Sequence, residues 1–185
     1  MSKSYQFLVI TTFLLTLFAC NSAPLRYTLD PEFSYLQELG RGIKIVSVSV
    51  IDKRQNTASE TVVDPDNVAN KLQDQLIQKL KDKGYKIINK PLLADIAYEM
   101  VINELDMAVD KSMLKSLIRG NSKITLTLRK HSNYITKIFS ATKTQEVANP
   151  ANSIDVTGVA NQMLSSLFAN MFSDQQIVEF SEKSQ

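Results

Sequence analysis

The chain has 185 residues, 21 lysines and arginines against 19 aspartates and glutamates, a net charge of +2, and 44% hydrophobic residues. That composition excludes an intrinsically disordered chain, which lacks the apolar surface to build a core, and a near-neutral balance gives no support for binding nucleic acid. Cys20 is the single cysteine, so an internal disulfide is excluded and the fold must hold without one.

Residues 1–19 read as an export signal. Lys3 supplies a small positive region, and residues 7–18 form a run of apolar side chains and threonines. A bilayer-spanning helix needs about 20 apolar residues, so this shorter run fits a signal-peptide core better than a membrane anchor. It ends in Leu17-Phe18-Ala19-Cys20, which resembles the lipobox of bacterial lipoproteins, although Phe18 is bulkier than the small residue common there. The resemblance implies cleavage before Cys20 and a covalent lipid on its sulfur, with no other cofactor. One acyl chain holds only reversibly and two hold stably, so an acylated Cys20 tethers whatever follows it to the membrane. By resemblance to sorted lipoproteins, Asn21 in place of aspartate points to the outer membrane, with the domain facing the periplasm. The expected organisation is a signal peptide over 1–19, a lipidated tether over 20–41 and a single globular domain over 42–185. Leu25, Tyr27, Leu29, Phe33, Tyr35 and Leu36 make the tether too apolar for a wholly solvated linker, so part of it is expected to lie against the body.

The first predicted strand covers 42–51, β-branched and nearly uncharged, as an interior strand would be. A polar loop follows over 52–61. The first helix is expected to be capped by Asp64, with Pro65 at its first position and Asp66 complementing the helix dipole. Val68, Leu72, Leu76 and Leu80 repeat every four residues, and Gly84 supplies a left-handed stop. From 95 to 109 the apolar residues alternate in two phases: Ile96, Tyr98, Met100 and Ile102, then Leu105, Met107 and Val109. The flip near Asn103 and Glu104 predicts a bulge or a bend. Ile124, Leu126 and Leu128 mark a one-sided strand, and 134–144 a further strand joined through a turn at His131-Ser132-Asn133. A polar loop over 147–154 leads to a second long helix over about 155–172, and Asp174 caps a short terminal helix.

The order β-α-β-β-β-α predicts a single two-layer α+β domain, with a mixed sheet and two main helices on one face. Taken together, Cys20, Val48-Ser49-Val50-Ile51-Asp52-Lys53-Arg54, Leu80-Lys81-Asp82-Lys83-Gly84-Tyr85, the Ala94-Asp95 strand opening and the helical tail resemble the YajG family of bacterial lipoproteins. In that family the first strand ends in Asp-Ala-Arg followed by proline; here Lys53 and Gln55 replace the alanine and the proline. The resemblance implies a location and a fold more firmly than an activity.

Three places invite a functional reading. Asp52 and Arg54, spaced i, i+2, point the same way in an extended segment and form either a polar docking point or a rim ion pair. Residues 113–120, where a hairpin tip is expected, carry Met113, Leu114, Leu117 and Ile118 between Lys111, Lys115 and Arg119; such a tip either contacts a membrane or partner or folds back on its own sheet. Asp95 and Glu99 share one side of a strand at a separation of about 13 Å, too wide for a glycosidase pair. His131, the only histidine, reads as a solvated turn residue, and no metal site, nucleophile elbow, P-loop or dinucleotide fingerprint is present. The leading expectation is a non-enzymatic, membrane-tethered envelope lipoprotein that binds or scaffolds an envelope protein partner. The alternatives are a periplasmic module for a small hydrophobic or glycan ligand, which requires a pocket between helices and sheet, and a cell-wall or lipid hydrolase, which requires convergent carboxylates.

Overall fold

The structure, a computed structural model, describes residues 24–34, 36, 43–55, 62–63 and 66–182. The export signal, Cys20, Asp64 and Pro65 therefore lie outside the described residues. In chain order the elements are β1 (Leu25–Arg26), β2 (Ile45–Asp52), β3 (Val62–Val63), α1 (Val68–Asp82), β4 (Lys86–Ile87), β5 (Ile96–Lys111), β6 (Lys115–Lys130), β7 (Asn133–Ala148), α2 (Ser153–Ser173) and α3 (Gln175–Glu182). The main sheet is ordered β4-β2-β5-β6-β7. β2 is parallel to β4 and β5, as a helical crossover requires, and β5, β6 and β7 form two antiparallel hairpins. Among the described residues the helices cover one face of this mixed sheet and leave the other open, the expected α+β arrangement.

Helix α1 buries Val68, Leu72, Leu76 and Leu80, the stripe visible in the sequence. Its start differs from the expectation. The helix begins at Val68, the first residue of its buried stripe, so Asp66 lies ahead of it and its first turn holds no acid. Asn67 occupies the cap position with φ 56°, a left-handed conformation that asparagine tolerates. The other end follows the sequence: Gly84 has φ 88°, its amide donates to Lys81 O, and Tyr85 N–H donates to Leu80 O, closing a Schellman motif.

The two phases of β5 both face the helices. The register with β6 shifts between Ile102 and Glu104, and this bulge returns Leu105, Met107 and Val109 to the side already occupied by Met100 and Ile102. On β6, Ile118, Ile124, Leu126 and Leu128 are all fully buried. Helix α2 starts at Ser153, two residues earlier than its periodicity indicates, because Asn152 and Asp155 form a capping box. Asn152 Oδ1 accepts from the Ile154 and Asp155 amides, and Asp155 Oδ2 accepts from Asn152 N–H.

Asp95 sits immediately before β5 and ties it to β2. Its Oδ2 accepts the Lys44 and Ile45 amides, each at 2.8 Å, while its own N–H donates to Ile45 O at 2.9 Å. The two amides stabilise the charged form and hold this carboxyl below its usual range. A depressed folded-state pKa contributes stability above the unfolded value of about 3.9, lost as pH falls through the folded value. Asp95→Ala is expected to cost about 1–2 kcal/mol near neutrality, after discounting for partial exposure. The gap from the parent chain should start to narrow below about pH 4 and go on shrinking as pH falls through the lowered folded-state value. Denaturant unfolding should therefore show a smaller difference at about pH 3 than at about pH 7.

Residues 24–36 are built into the fold as an extended strap. Tyr27, Leu29, Pro31 and Phe33 are buried in strict alternation, followed by Leu36. The intervening amides of Arg26, Thr28, Asp30 and Glu32 donate to Ser153 Oγ, Thr157 Oγ1, Asn161 Oδ1 and Ser165 Oγ along α2. Two strap residues rise about 6.6 Å and four helix residues about 6 Å, so i+2 on one matches i+4 on the other. From the other side Gln75 of α1 donates to Leu29 O and Asp30 Oδ1. The strap thus lies between the two helices.

Candidate functional site

Asp52 and Arg54 come together at the end of β2. Asp52 Oδ1 accepts from Arg54 N at 3.1 Å and Nε at 2.9 Å, and Oδ2 accepts from Nη2 at 2.8 Å. Arg54 Nη1 also donates to Leu105 O at 3.5 Å, just past the β5 bulge. The Arg54 side chain is only 11% exposed, which makes this more than a rim pair: it fastens the end of β2 to the bulge. Hydrogen bonding from the guanidinium holds the Asp52 carboxyl below its usual range, against the opposing effect of burial. A shallow polar groove lies beside it, lined by Lys53, Arg54, Gln55, Asn103, Glu104 and Asp106.

The second candidate is smaller than the sequence indicates. The turn between β5 and β6 is tight, closed by Ser112 N–H donating to Lys115 O, and β6 already begins at Lys115. Alternation then sends Ser116, Ile118 and Gly120 toward the helices and Leu117 and Arg119 to the open face. Ile118 is a core residue with no exposed surface, and Leu117 is half-buried, so neither belongs to a tip. The exposed apolar tip consists of Met113 at 97% and Leu114 at 88%. Lys115 pairs with Glu146, and Arg119 pairs with Asp110.

The carboxylates do not converge. Asp95 caps a strand start, Glu99 is exposed on the open sheet face, and Asp110 is engaged by Arg119. Burial raises the Asp174 carboxyl, but the Lys137 ammonium and the Ile177 and Gln176 amides outweigh it and hold the group low. His131 lies exposed in the β6–β7 turn with φ 54°. Among the described residues no group of three or more His, Cys, Asp or Glu side chains is placed to hold a metal ion.

Two features go beyond what the sequence indicates. One is the strap: its contact with the body is expected, but its pairing along α2 is not. The other is a row across the open sheet face, where Ile51, Val101, Thr125 and Ile138 stand side by side on four adjacent strands. Ile138 is 62% exposed, and Tyr134 on the same strand and face is also exposed. Polar threonines and serines around this row hid it, because each strand contributes only one member.

Fold and site together define a two-layer α+β domain with an N-terminal strap, and among the described residues no catalytic group is assembled. The chain belongs to an uncharacterised lipoprotein family, the YajG family, which matches residues 37–181. No curated protein is significantly similar to it. Similar solved structures include XCC0632 from Xanthomonas campestris, with 13% identity over 84% of this chain and 95% of that one and a TM-score of 0.47. Lipoprotein GNA1162 from Neisseria meningitidis has 10% identity over 70% and 97%, with a TM-score of 0.37. The rare lipoprotein B of Shewanella oneidensis has 6% identity over 72% and 92%, with a TM-score of 0.38.

Proposed function

We propose that this protein is a lipid-anchored component of the bacterial cell envelope, acylated on Cys20 at the outer membrane, with its domain on the periplasmic side. Its role is to bind or scaffold another envelope component without catalysing a reaction. The strap carries this reading. It is held from Leu25 onward, by pairing with Val62 of β3 and by the Arg26 amide on Ser153 of α2, so Cys20 is five residues from a point held in the fold, a reach of about 18 Å. An acylated Cys20 therefore holds the domain at the bilayer surface instead of letting it roam on a long linker.

A protein partner is favoured over a small ligand by the space between sheet and helices, which is filled by Phe168, Met100, Leu126, Leu164 and Leu167. The open face, with its Ile51, Val101, Thr125 and Ile138 row, offers the partner an exposed, partly apolar surface instead.

Cys20→Ser is expected to move the protein from the detergent phase to the aqueous phase in a detergent partition of whole cells, with its fold unchanged by circular dichroism. Retention of the serine variant in the detergent phase contradicts the anchor. A photo-crosslinker at Ile138 in living cells is expected to give a discrete protein adduct; absence of any adduct counts against the scaffolding role.

A further inference from the structure

The strap runs parallel to α2 and enters at that helix's N-terminus, where Arg26 N–H meets Ser153 Oγ. The β5–β6 hairpin tip is at the same end. Asn149, just before α2, donates from its backbone to Leu114 O at 3.4 Å and from its side chain to Ser112 O at 3.0 Å. Ser116 Oγ donates to Asn149 Oδ1 and accepts from Ala151 N–H, joining the hairpin to the α2 approach. In the first turn of α2, Ile154 is 82% exposed. Three large apolar side chains, Met113, Leu114 and Ile154, are therefore presented to solvent at the end of the domain where the chain from Cys20 arrives. The other exposed leucines, Leu92 and Leu93, lie at the opposite end, in the turn before β5.

We infer that Met113, Leu114 and Ile154 rest in the lipid surface beside the acylated Cys20 and fix the orientation of the domain on the membrane. The inference rests on the anchor proposed above. Cys20 can reach no more than about 18 Å from Leu25, so the bilayer holding its acyl chains is the apolar phase available to this end of the domain. Lys115 and Arg119 are paired with Glu146 and Asp110, which leaves the contact to apolar side chains rather than to attraction for anionic headgroups. Two attachment points, one covalent and one by insertion, stop the domain from tumbling about its tether. The sixteen-residue strands β5, β6 and β7 then stand away from the membrane over roughly 50 Å, and the open sheet face is turned sideways toward neighbours.

The test uses the acylated full-length protein carrying Leu114→Cys, labelled with a nitrobenzoxadiazole thiol reagent. It is compared with Leu92→Cys labelled in the same way, both in phosphatidylethanolamine–phosphatidylglycerol vesicles. Both positions are exposed, so neither substitution disturbs the core. The expected result is a blue-shifted emission at position 114 and loss of its quenching by aqueous iodide, with full quenching at position 92. Equal quenching at both positions, with the protein still floating with the vesicles, overturns the insertion while leaving the anchor intact. Protein that does not float, and that takes up label at Cys20, overturns the anchor and the insertion with it. Protection at 114 in native envelope membranes but not in protein-free vesicles assigns the tip to a protein and overturns lipid insertion.

Discussion

Phe168→Ala is expected to destabilise the domain by about 3–5 kcal/mol, the cost of removing a fully buried phenylalanine. Phe168 has no exposed surface, and its ring stacks on Phe33 with centroids 4.3 Å apart and 18° between planes. Phe172 closes the cluster, 6.5 Å from Phe168 and 6.3 Å from Phe33, and Tyr98 of β5 packs against Phe172. The alanine variant therefore leaves a cavity bordered by strap, helix and sheet at once, and no single element can collapse to fill it. Phe33→Ala should cost less, because the Phe33 ring keeps some solvent contact where Phe168 keeps none. Urea unfolding of both variants reads the difference; equal and small losses would show that strap and helix are not packed as one core.

Gly120→Val carries the next largest effect, a loss of about 1–3 kcal/mol from overpacking. Gly120 lies mid-strand on the helix-facing side of β6, and a Cβ built there would sit 2.8 Å from Met107 Sδ and 2.9 Å from Met163 Sδ. The two thioethers occupy the volume that any other residue would claim. Met163→Ala alone should destabilise by opening a cavity, yet in the Gly120→Val background it should restore part of the loss. That change of sign in a double-mutant cycle is the signature of shared space. Simple additivity would show that the valine harms the strand for some other reason.

Much of this architecture was legible because single elements carried their own signals. The Val68, Leu72, Leu76, Leu80 stripe placed α1, the phase flip at Asn103 and Glu104 marked the bulge, and alternation at Ile124, Leu126 and Leu128 oriented β6. The start of α1 differs because Asp64, Pro65 and Asp66 are good helix-opening residues locally, whereas the helix opens at Val68 behind a left-handed Asn67. The hairpin tip, expected over 113–120, is shorter because β6 is paired from Lys115 onward by β5 and β7, partners that the local sequence does not show. In the fold Gly120 is there for its missing side chain, a requirement set by Met107 and Met163 on other elements. The strap was legible only in part. Its apolar residues announced contact with the body, but its hydrogen bonds go to Ser153, Thr157, Asn161 and Ser165, more than 120 residues away. That polar stripe at helical spacing was the available signal. The candidate sites fared similarly: Asp52 and Arg54 pair as their spacing implies, whereas the open-face row exists only once four strands are assembled.

A fixed strap is what would bring an acylated Cys20 beside Met113, Leu114 and Ile154. Native-state hydrogen exchange of the Arg26, Thr28, Asp30 and Glu32 amides tests this most directly. If the strap is zipped to α2, these four amides exchange as slowly as those in the middle of α2, through global unfolding. If they exchange at the rate of an exposed loop while α2 stays protected, the segment is a free tether, and the domain is not held at the membrane by its own fold.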